Sequence, residues 1–277
     1  MRNDAGGAAA PPHDGEPGFA QLVAALRAAG CVFAEDEARL LLAARAQPPG
    51  PAALLARRVR GEPLEYVLGW AEFAGLRLDV EPGVFVPRRR TEVLVEAAAR
   101  HAVAGAVVLD LCCGTGALAI ALTAAVPGVQ VHAADIDPVA VRCARRNMLR
   151  HNVSGQVYTG DLFAPLPVAL RGRVQTLLAN VPYVPTAAIL QLPREFRVYE
   201  ARPALDGGAD GLHTFRRMVA GAGAWLCPGG ALYSEIGADQ AAAAGAVLTA
   251  HGLRTEFVDA GDGLVIVGRN VLPVTSK

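Results

Sequence analysis

From residue 106 onward the chain alternates short, nearly unbroken apolar runs with longer segments whose apolar positions return every three or four residues. The runs predict strands at Val107–Leu111, Gln130–Ala134, Val157–Thr159, Val174–Ala179, Ala231–Glu235, Thr255–Asp259 and Leu264–Gly268. The periodic segments predict helices at Ala117–Ala125, Pro138–His151, Leu212–Leu226 and Ala238–His251. Asp137-Pro138 is a good helix start, because an acidic N-cap accepts a backbone N–H and proline suits the first turn. Near-continuous apolar strands alternating with helices imply a parallel sheet covered on both faces. The last two strands, with Gly261-Asp262-Gly263 between them, lie too close for a helical crossover, so they pair antiparallel. The fold class is α/β, a Rossmann-like seven-stranded sheet with an antiparallel last strand.

Before residue 106 the pattern changes. Phe19–Ala29 and Glu35–Ala46 carry apolar residues at helical spacing, and a third helix, Ala52–Arg60, follows the break Pro48-Pro49-Gly50-Pro51. Three short helices bury little on their own, so they serve either as a packing appendage or as a recognition module. Glu72–Val80 and Gly83–Val86 read as strands of a hairpin around Glu81-Pro82-Gly83, and Thr91–Ala104 as a helix. The organisation expected is a flexible tail over 1–18, a helical domain over 19–69, a hairpin linker over 70–88 and the sheet domain over 89–277.

Composition narrows the function classes. The chain has 277 residues, is 52% hydrophobic and 19% charged, and carries zero formal net charge. That is a compact domain with no bulk electrostatic pull toward nucleic acid or membrane. No segment has the length and apolarity of a membrane span and the N-terminus lacks a signal-type core, so a cytoplasmic monomer is expected. Five cysteines with no metal-type spacing predict no metal site, and adjacent Cys112 and Cys113 are poor disulfide partners.

Candidate chemistry gathers at the predicted strand ends. After the first strand comes the loop Asp110-Leu111-Cys112-Cys113-Gly114-Thr115-Gly116, where Gly114 and Gly116 permit a tight turn and a close ligand approach. Asp135 ends the next strand, where a carboxylate can accept both hydroxyls of a ribose. Asp161 follows the third, beside Leu162. An adenosine fits this register: ribose on Asp135, base between Ile136 and Leu162, and its amino group on Asp161. Ala119 occupies the place of the third fingerprint glycine, which a dinucleotide loop tolerates, so the loop alone leaves a nicotinamide cofactor open.

A second motif decides between cofactors. Asn180-Val181-Pro182-Tyr183 leaves the strand Val174–Ala179, and no hydride transfer needs an Asn-x-Pro-Tyr corner. It resembles the Asn/Asp-Pro-Pro-Tyr/Phe motif of methyltransferases that modify planar nitrogens. The flanking runs Arg60-Gly61-Glu62-Pro63-Leu64-Glu65-Tyr66, Val86-Pro87-Arg88 and Ala204-Leu205-Asp206-Gly207-Gly208 resemble the protein-glutamine methyltransferases of peptide-chain release factors, with a similarity covering roughly residues 35–270. The resemblance implies a class I methyltransferase sheet, S-adenosylmethionine as cofactor, a helical substrate-recognition domain, and a release-factor glutamine as acceptor. It places Asp110, Cys112, Gly114, Thr115, Gly116, Asp135, Ile136, Asp161, Leu162 and Asn180 on the cofactor, and Asn180, Val181, Pro182 and Tyr183 on the acceptor. In this reading Asn180 and the carbonyl of residue 181 accept the two amide N–H bonds, and Tyr183 packs on the amide.

The chain departs from that pattern in three places. Val181 replaces the first proline, Cys112 replaces a usual glycine, and Arg89-Arg90-Thr91-Glu92 stands where Pro-Glu-Thr-Glu is usual. The Arg88-Arg89-Arg90 run reads first as a solvated face. Two other functions stay open: transfer to an exocyclic amine of RNA or DNA, which calls for a basic groove, and a non-catalytic cofactor-binding adapter, which does not need an intact Asn180.

Overall fold

The computed structural model describes residues 17–44, 49–259, 261 and 263–271. The chain divides into two compact units, Met1–Leu68 and Gly69–Lys277. The expected tail over 1–18 lies almost wholly outside the described residues, as does Asp262 of the last predicted turn.

Among its described residues the smaller unit holds four α-helices: α1 (Phe19–Ala28), α2 (Ala34–Ala43), α3 (Pro51–Val59) and α4 (Leu64–Leu68). Their apolar stripes meet in one small core that includes Leu22, Leu26, Leu41 and Leu54. Glu37 is buried in it and takes a two-pronged ion pair from Arg58, with Nε 2.7 Å and Nη2 3.0 Å from its carboxylate oxygens.

The larger unit opens with a hairpin, β1 (Trp70–Phe73) and β2 (Leu76–Asp79). This corrects the expectation of one strand over Glu72–Val80. The chain reverses at Ala74-Gly75, both at positive φ (50° and 72°), as a two-residue hairpin turn requires. Alanine there hides the turn, while Glu81-Pro82-Gly83 advertises one that closes no hairpin. Gly83–Val86 is not a strand; Gly83 makes a single parallel bridge to Glu200.

The sheet and its helices then follow: α5 (Glu92–Ala99), β3 (Val107–Leu111), α6 (Ala117–Ala125), β4 (Gln130–Asp135), α7 (Pro138–Arg150), β5 (Gly155–Thr159), β6 (Val174–Ala179), α8 (Arg194–Tyr199), α9 (Arg202–Leu205), α10 (His213–Ala222), β7 (Leu226–Ile236), α11 (Ala241–Ala250), β8 (Leu253–Asp259) and β9 (Leu264–Asn270). Helix α5 is shorter than the predicted Thr91–Ala104, and α10 ends at Ala222, because Leu226 already begins a strand. Asp137 caps α7 as expected, accepting from Val139 N at 2.8 Å.

The seven strands run β5-β4-β3-β6-β7-β9-β8. All pairs are parallel except those of β9, which lies antiparallel between β7 and β8. This is the class I methyltransferase sheet. The insertion follows from pattern: Val265, Ile266 and Val267 of β9 are buried, whereas β8 is mostly polar and buries only Leu253, as suits an edge strand. Helices cover both faces, with Val108 packed toward one and Val107, Leu109 and Leu111 toward the other. Among the described residues, no helix is long and apolar enough to cross a membrane.

One buried side chain ties the hairpin to the sheet. Asn147 of α7 accepts from Asp79 N at 2.7 Å and donates to the carbonyls of Asp79 and Thr115 at 2.8 and 3.0 Å. Replacing it by alanine strands a buried N–H and two carbonyls, so Asn147→Ala should lower unfolding stability by about 2–3 kcal/mol. Leu149→Ala, on the exposed face of the same helix, should stay within about 0.5 kcal/mol. Urea denaturation of both variants checks this, and equal midpoints would refute it.

Candidate active site

The strand order reverses beside β3: β4 and β5 lie to one side, β6 and β7 to the other. Ligands of such sheets bind beyond the carboxyl ends of the strands at this reversal. Here a cavity of about 440 Å³ opens there, within the range of small-molecule sites. It brings together Cys112, Gly114, Thr115, Asp135, Ile136, Asp161, Leu162, Asn180 and Pro182, residues that are far apart in the chain.

The register builds it. Leu111 pairs with Ala179, so β3 and β6 end flush, and Cys112 and Asn180 leave the sheet side by side. Asp135 ends β4 and clamps the loop by accepting from Gly114 N and Asp137 N, each at 2.9 Å. Burial raises its carboxyl above the ordinary value, and those two donors oppose the shift. Gly116 sits at φ +79°, where a Cβ would press within 3.3 Å of Ala144 on α7. Cys112, at the usual glycine position, adopts φ +55°, and Leu162 across the cavity φ +47°. Two non-glycine residues in left-handed conformations at one site store strain of about 1–3 kcal/mol each.

Asp110 behaves differently from its neighbours. It is fully buried behind the loop and does not line the cavity. One carboxylate oxygen accepts from Ala119 N at 3.2 Å; the other has no partner among the described residues. Burial pushes its carboxyl up to about 8; the Ala119 bond opposes the shift and the charge on Asp135 adds to it. A loop brace fits this placement better than a ligand contact. The Cys112 and Cys113 thiols are likewise pushed well above their ordinary value, by burial first and by nearby carboxylates second, so they stay protonated and are poor nucleophiles.

Asp161 pairs at 2.5 Å with Arg217 of α10, which also lines the cavity. Sequence reasoning missed Arg217, because nothing in the pattern of an amphipathic helix separates it from other exposed arginines.

At the other end of the cavity, the Asn180 side chain has no hydrogen-bond partner among the described residues, and no donor reaches the Val181 carbonyl. The Asn180 side chain lines the cavity, whereas Val181 is not among the lining residues. Val181 is buried and packs with Leu212 and Phe215. Tyr183 departs from expectation: it does not line the cavity. Its hydroxyl donates to Glu235 at 2.9 Å and accepts from Arg90 at 2.5 Å, which turns the ring away from the position where it packs on an acceptor amide. Burial, with Glu235 beside it, pushes this phenol up to about 12.

The arginine run is corrected too. Arg89 is the most solvated of the three, with 79% of its side chain exposed against 41% for Arg90 and 18% for Arg88. Arg88 forms an ion pair with the fully buried side chain of Glu200 and lies 4.0 Å from the Phe196 ring and 5.0 Å from Phe85. Arg90 bonds Glu235 at 2.7 Å. The loop after β6 is braced by Gly211, where a Cβ would lie 2.2 Å from the Tyr183 carbonyl oxygen, and by Gln240, which donates to that oxygen at 2.8 Å.

A family model described as Methyltransferase small domain matches residues 75–210. The release factor glutamine methyltransferase of Geobacter sulfurreducens is 45% identical over 188 residues, covering 68% of this chain and 65% of that protein. Its counterpart in Gloeobacter violaceus is 42% identical over 194 residues, covering 68% of this chain and 67% of that protein. The chain belongs to the release factor glutamine methyltransferase family. It spans about two thirds of the length of these curated relatives. A solved methyltransferase from Pyrococcus furiosus, 15% identical, covers 72% of this chain and 90% of its own with a TM-score of 0.54, a likeness of fold alone.

Within this family member, the buried carboxyl of Asp110 makes a pH signature. Its folded value lies above the ordinary one, so between about pH 4 and 8 the folded chain holds a proton that the unfolded chain has released. That makes stability fall as pH rises through this window. Asp110→Asn removes the contribution. Relative to the parent protein it should gain more than about 1.4 kcal/mol on going from pH 5 to pH 8, the worth of one pKa unit. Parallel pH profiles in urea melts would show that Asp110 titrates normally.

Proposed function

We propose that this chain transfers a methyl group from S-adenosylmethionine to the side-chain amide nitrogen of a glutamine in a peptide-chain release factor. The observation that carries the reading is the Asn180 side chain, which lines the cavity with no hydrogen-bond partner among the described residues, beside the Asp135-clamped loop.

The residues fit the cofactor. The Asp135 carboxylate suits a ribose diol, Ile136 and Leu162 offer apolar faces to an adenine, and Asp161 suits its amino group. Gly114 lets the backbone come close to the remainder, while Gly116 does not line the cavity and its positive φ serves the packing of the loop on α7. When bound, the sulfonium supplies an electrophilic methyl.

What the chain itself must do follows from amide chemistry. A glutamine nitrogen is a weak nucleophile because its lone pair is delocalised into the carbonyl. Asn180 Oδ1 and the Val181 carbonyl can accept its two N–H bonds, which orients the nitrogen and favours positive charge developing there. No general base is needed at attack, since the methylated nitrogen is acidic enough to release its proton to water afterwards. Phe73, Val84 and Pro203 line the same cavity, and its two arginines, Arg88 and Arg217, are already matched by Glu200 and Asp161, so a neutral side chain is favoured over a carboxylate. The helical unit Met1–Leu68 is read in the same proposal as the surface that recognises the release factor.

Incubation with methyl-labelled cofactor and purified release factor, in parallel with RNA, tests the reading by mass spectrometry of the products. One added methyl group on a release-factor glutamine is expected; label on RNA alone would overturn it. Asn180→Ala should slow transfer about 100-fold or more while cofactor affinity stays within a few-fold. Asp135→Ala should instead weaken cofactor binding about tenfold or more, measured by calorimetry, through loss of charge-assisted hydrogen bonds.

A further inference from the structure

Three groups from distant parts of the sequence meet beneath the acceptor corner. Glu235, at the end of β7, is only 2% exposed. Its Oε1 accepts from Arg90 Nε at 2.7 Å and from the Tyr183 hydroxyl at 2.9 Å, and its Oε2 accepts from Thr91. Arg90 Nη2 also donates to the Tyr183 oxygen at 2.5 Å. Every pair among Arg90, Tyr183 and Glu235 is therefore bonded, and the tyrosine hydroxyl both donates and accepts.

This triangle bears on the site through Tyr183. The side chain is held at its tip by Arg90 and Glu235, and the main chain at the carbonyl by Gln240. Asn180 is three residues upstream on the same corner, and Thr91, next to Arg90, lines the cavity. Arg90 is also the positive charge that matches buried Glu235; without it that carboxylate keeps only neutral donors, an expensive state at such burial. The guanidinium fork reaches both partners at once, which a lysine ammonium does not do with the same geometry. Position 90 is one where the chain departs from the Pro-Glu-Thr-Glu pattern. A glutamate there would set two carboxylates against each other, so this pairing belongs to the chain's own sequence.

We propose that Arg90 is a positioning residue for methyl transfer: with Glu235 it clamps Tyr183 and thereby holds the Asn180–Tyr183 corner against the cofactor loop. The proposal rests on the reading of that corner as the acceptor site.

The test uses the full chain with Arg90→Ala and Arg90→Lys, and Arg89→Ala as the exposed control. Three quantities are read: cofactor affinity by calorimetry, the single-turnover rate with saturating release factor, and amide hydrogen exchange at Val181, Tyr183 and Val184. Arg90→Ala should slow transfer about tenfold or more and speed exchange about tenfold, with cofactor affinity within about twofold. Arg90→Lys should recover part of both effects, and Arg89→Ala should match the parent. A wild-type rate in folded Arg90→Ala, or unchanged exchange at the corner, overturns the proposal. If the parent protein transfers no methyl group to release factor, the acceptor reading fails on its own. Exchange then judges the clamp: faster exchange sustains it, unchanged exchange removes it.

Discussion

The site depends on the parallel pairing of β3 with β6. Leu111 opposite Ala179 makes the two central strands end together, so the glycine loop and the Asn180 corner emerge as neighbours at the reversal of strand order. Register is strongly specified here because both strands are buried on both faces. A one-residue slip would turn Leu109 and Leu111 from one core layer to the other and leave Asp110 facing the wrong one. Loop residues need no independent reason to be close; the sheet delivers them. Asp135 then fixes the loop to β4, and Asn147 fixes it to α7 and the hairpin, so one sheet edge and two polar clamps define the cavity wall.

Carboxylates do much of the structural work, and each is managed differently. Glu235 and Glu200 are buried against arginines, Asp135 against backbone N–H groups, and Asp110 has only one donor and holds its proton. A buried charge is tolerable when several donors converge on it, and a guanidinium brings them in a planar fork. Lys277 is the only lysine in the sequence, so arginine forms every basic side-chain contact described here. Zero net charge thus conceals a network of matched pairs, so bulk charge is silent about the interior.

The sheet was legible because its central strands are short, nearly unbroken apolar runs and its helices are periodic, and both signals are local. The candidate site was legible as far as strand ends predict it: Asp135, Asp161 and Asn180 each follow an apolar run, and the strand order gathers them. What escaped was non-local or disguised. The hairpin turn uses Ala74 at positive φ, a residue with no turn signature, while Pro82-Gly83 carries the signature without the turn. Helices α8 and α9 have four to six residues, too few for a period to register. The carboxylate partners of Arg88 and Arg90 lie more than a hundred residues away, so a charged run read in isolation looked like solvent-facing surface. Tyr183 was read by its ring, whereas its hydroxyl decides where the ring goes.

Val181 shows how the fold makes up for a missing residue. A proline before Pro182 would stiffen the corner by fixing its own φ. Valine leaves that torsion free, yet its side chain is 1% exposed and packed with Leu212 and Phe215, and a β-branched side chain in a tight core has few rotamers to explore. Downstream, the Tyr183 carbonyl is bonded by Gln240 and crowded by Gly211, and the Val184 N–H bonds Leu205 O at 3.1 Å. The corner is therefore held by burial at Val181 and by hydrogen bonds at Tyr183 and Val184, in place of a covalent ring. Rigidity supplied by packing has a different weakness from rigidity supplied by proline: it fails when the neighbours are lost. On this account the Asn180 corner is as stiff as its core contacts and its Arg90–Glu235 anchor, and a change at either shifts the acceptor groups without touching them.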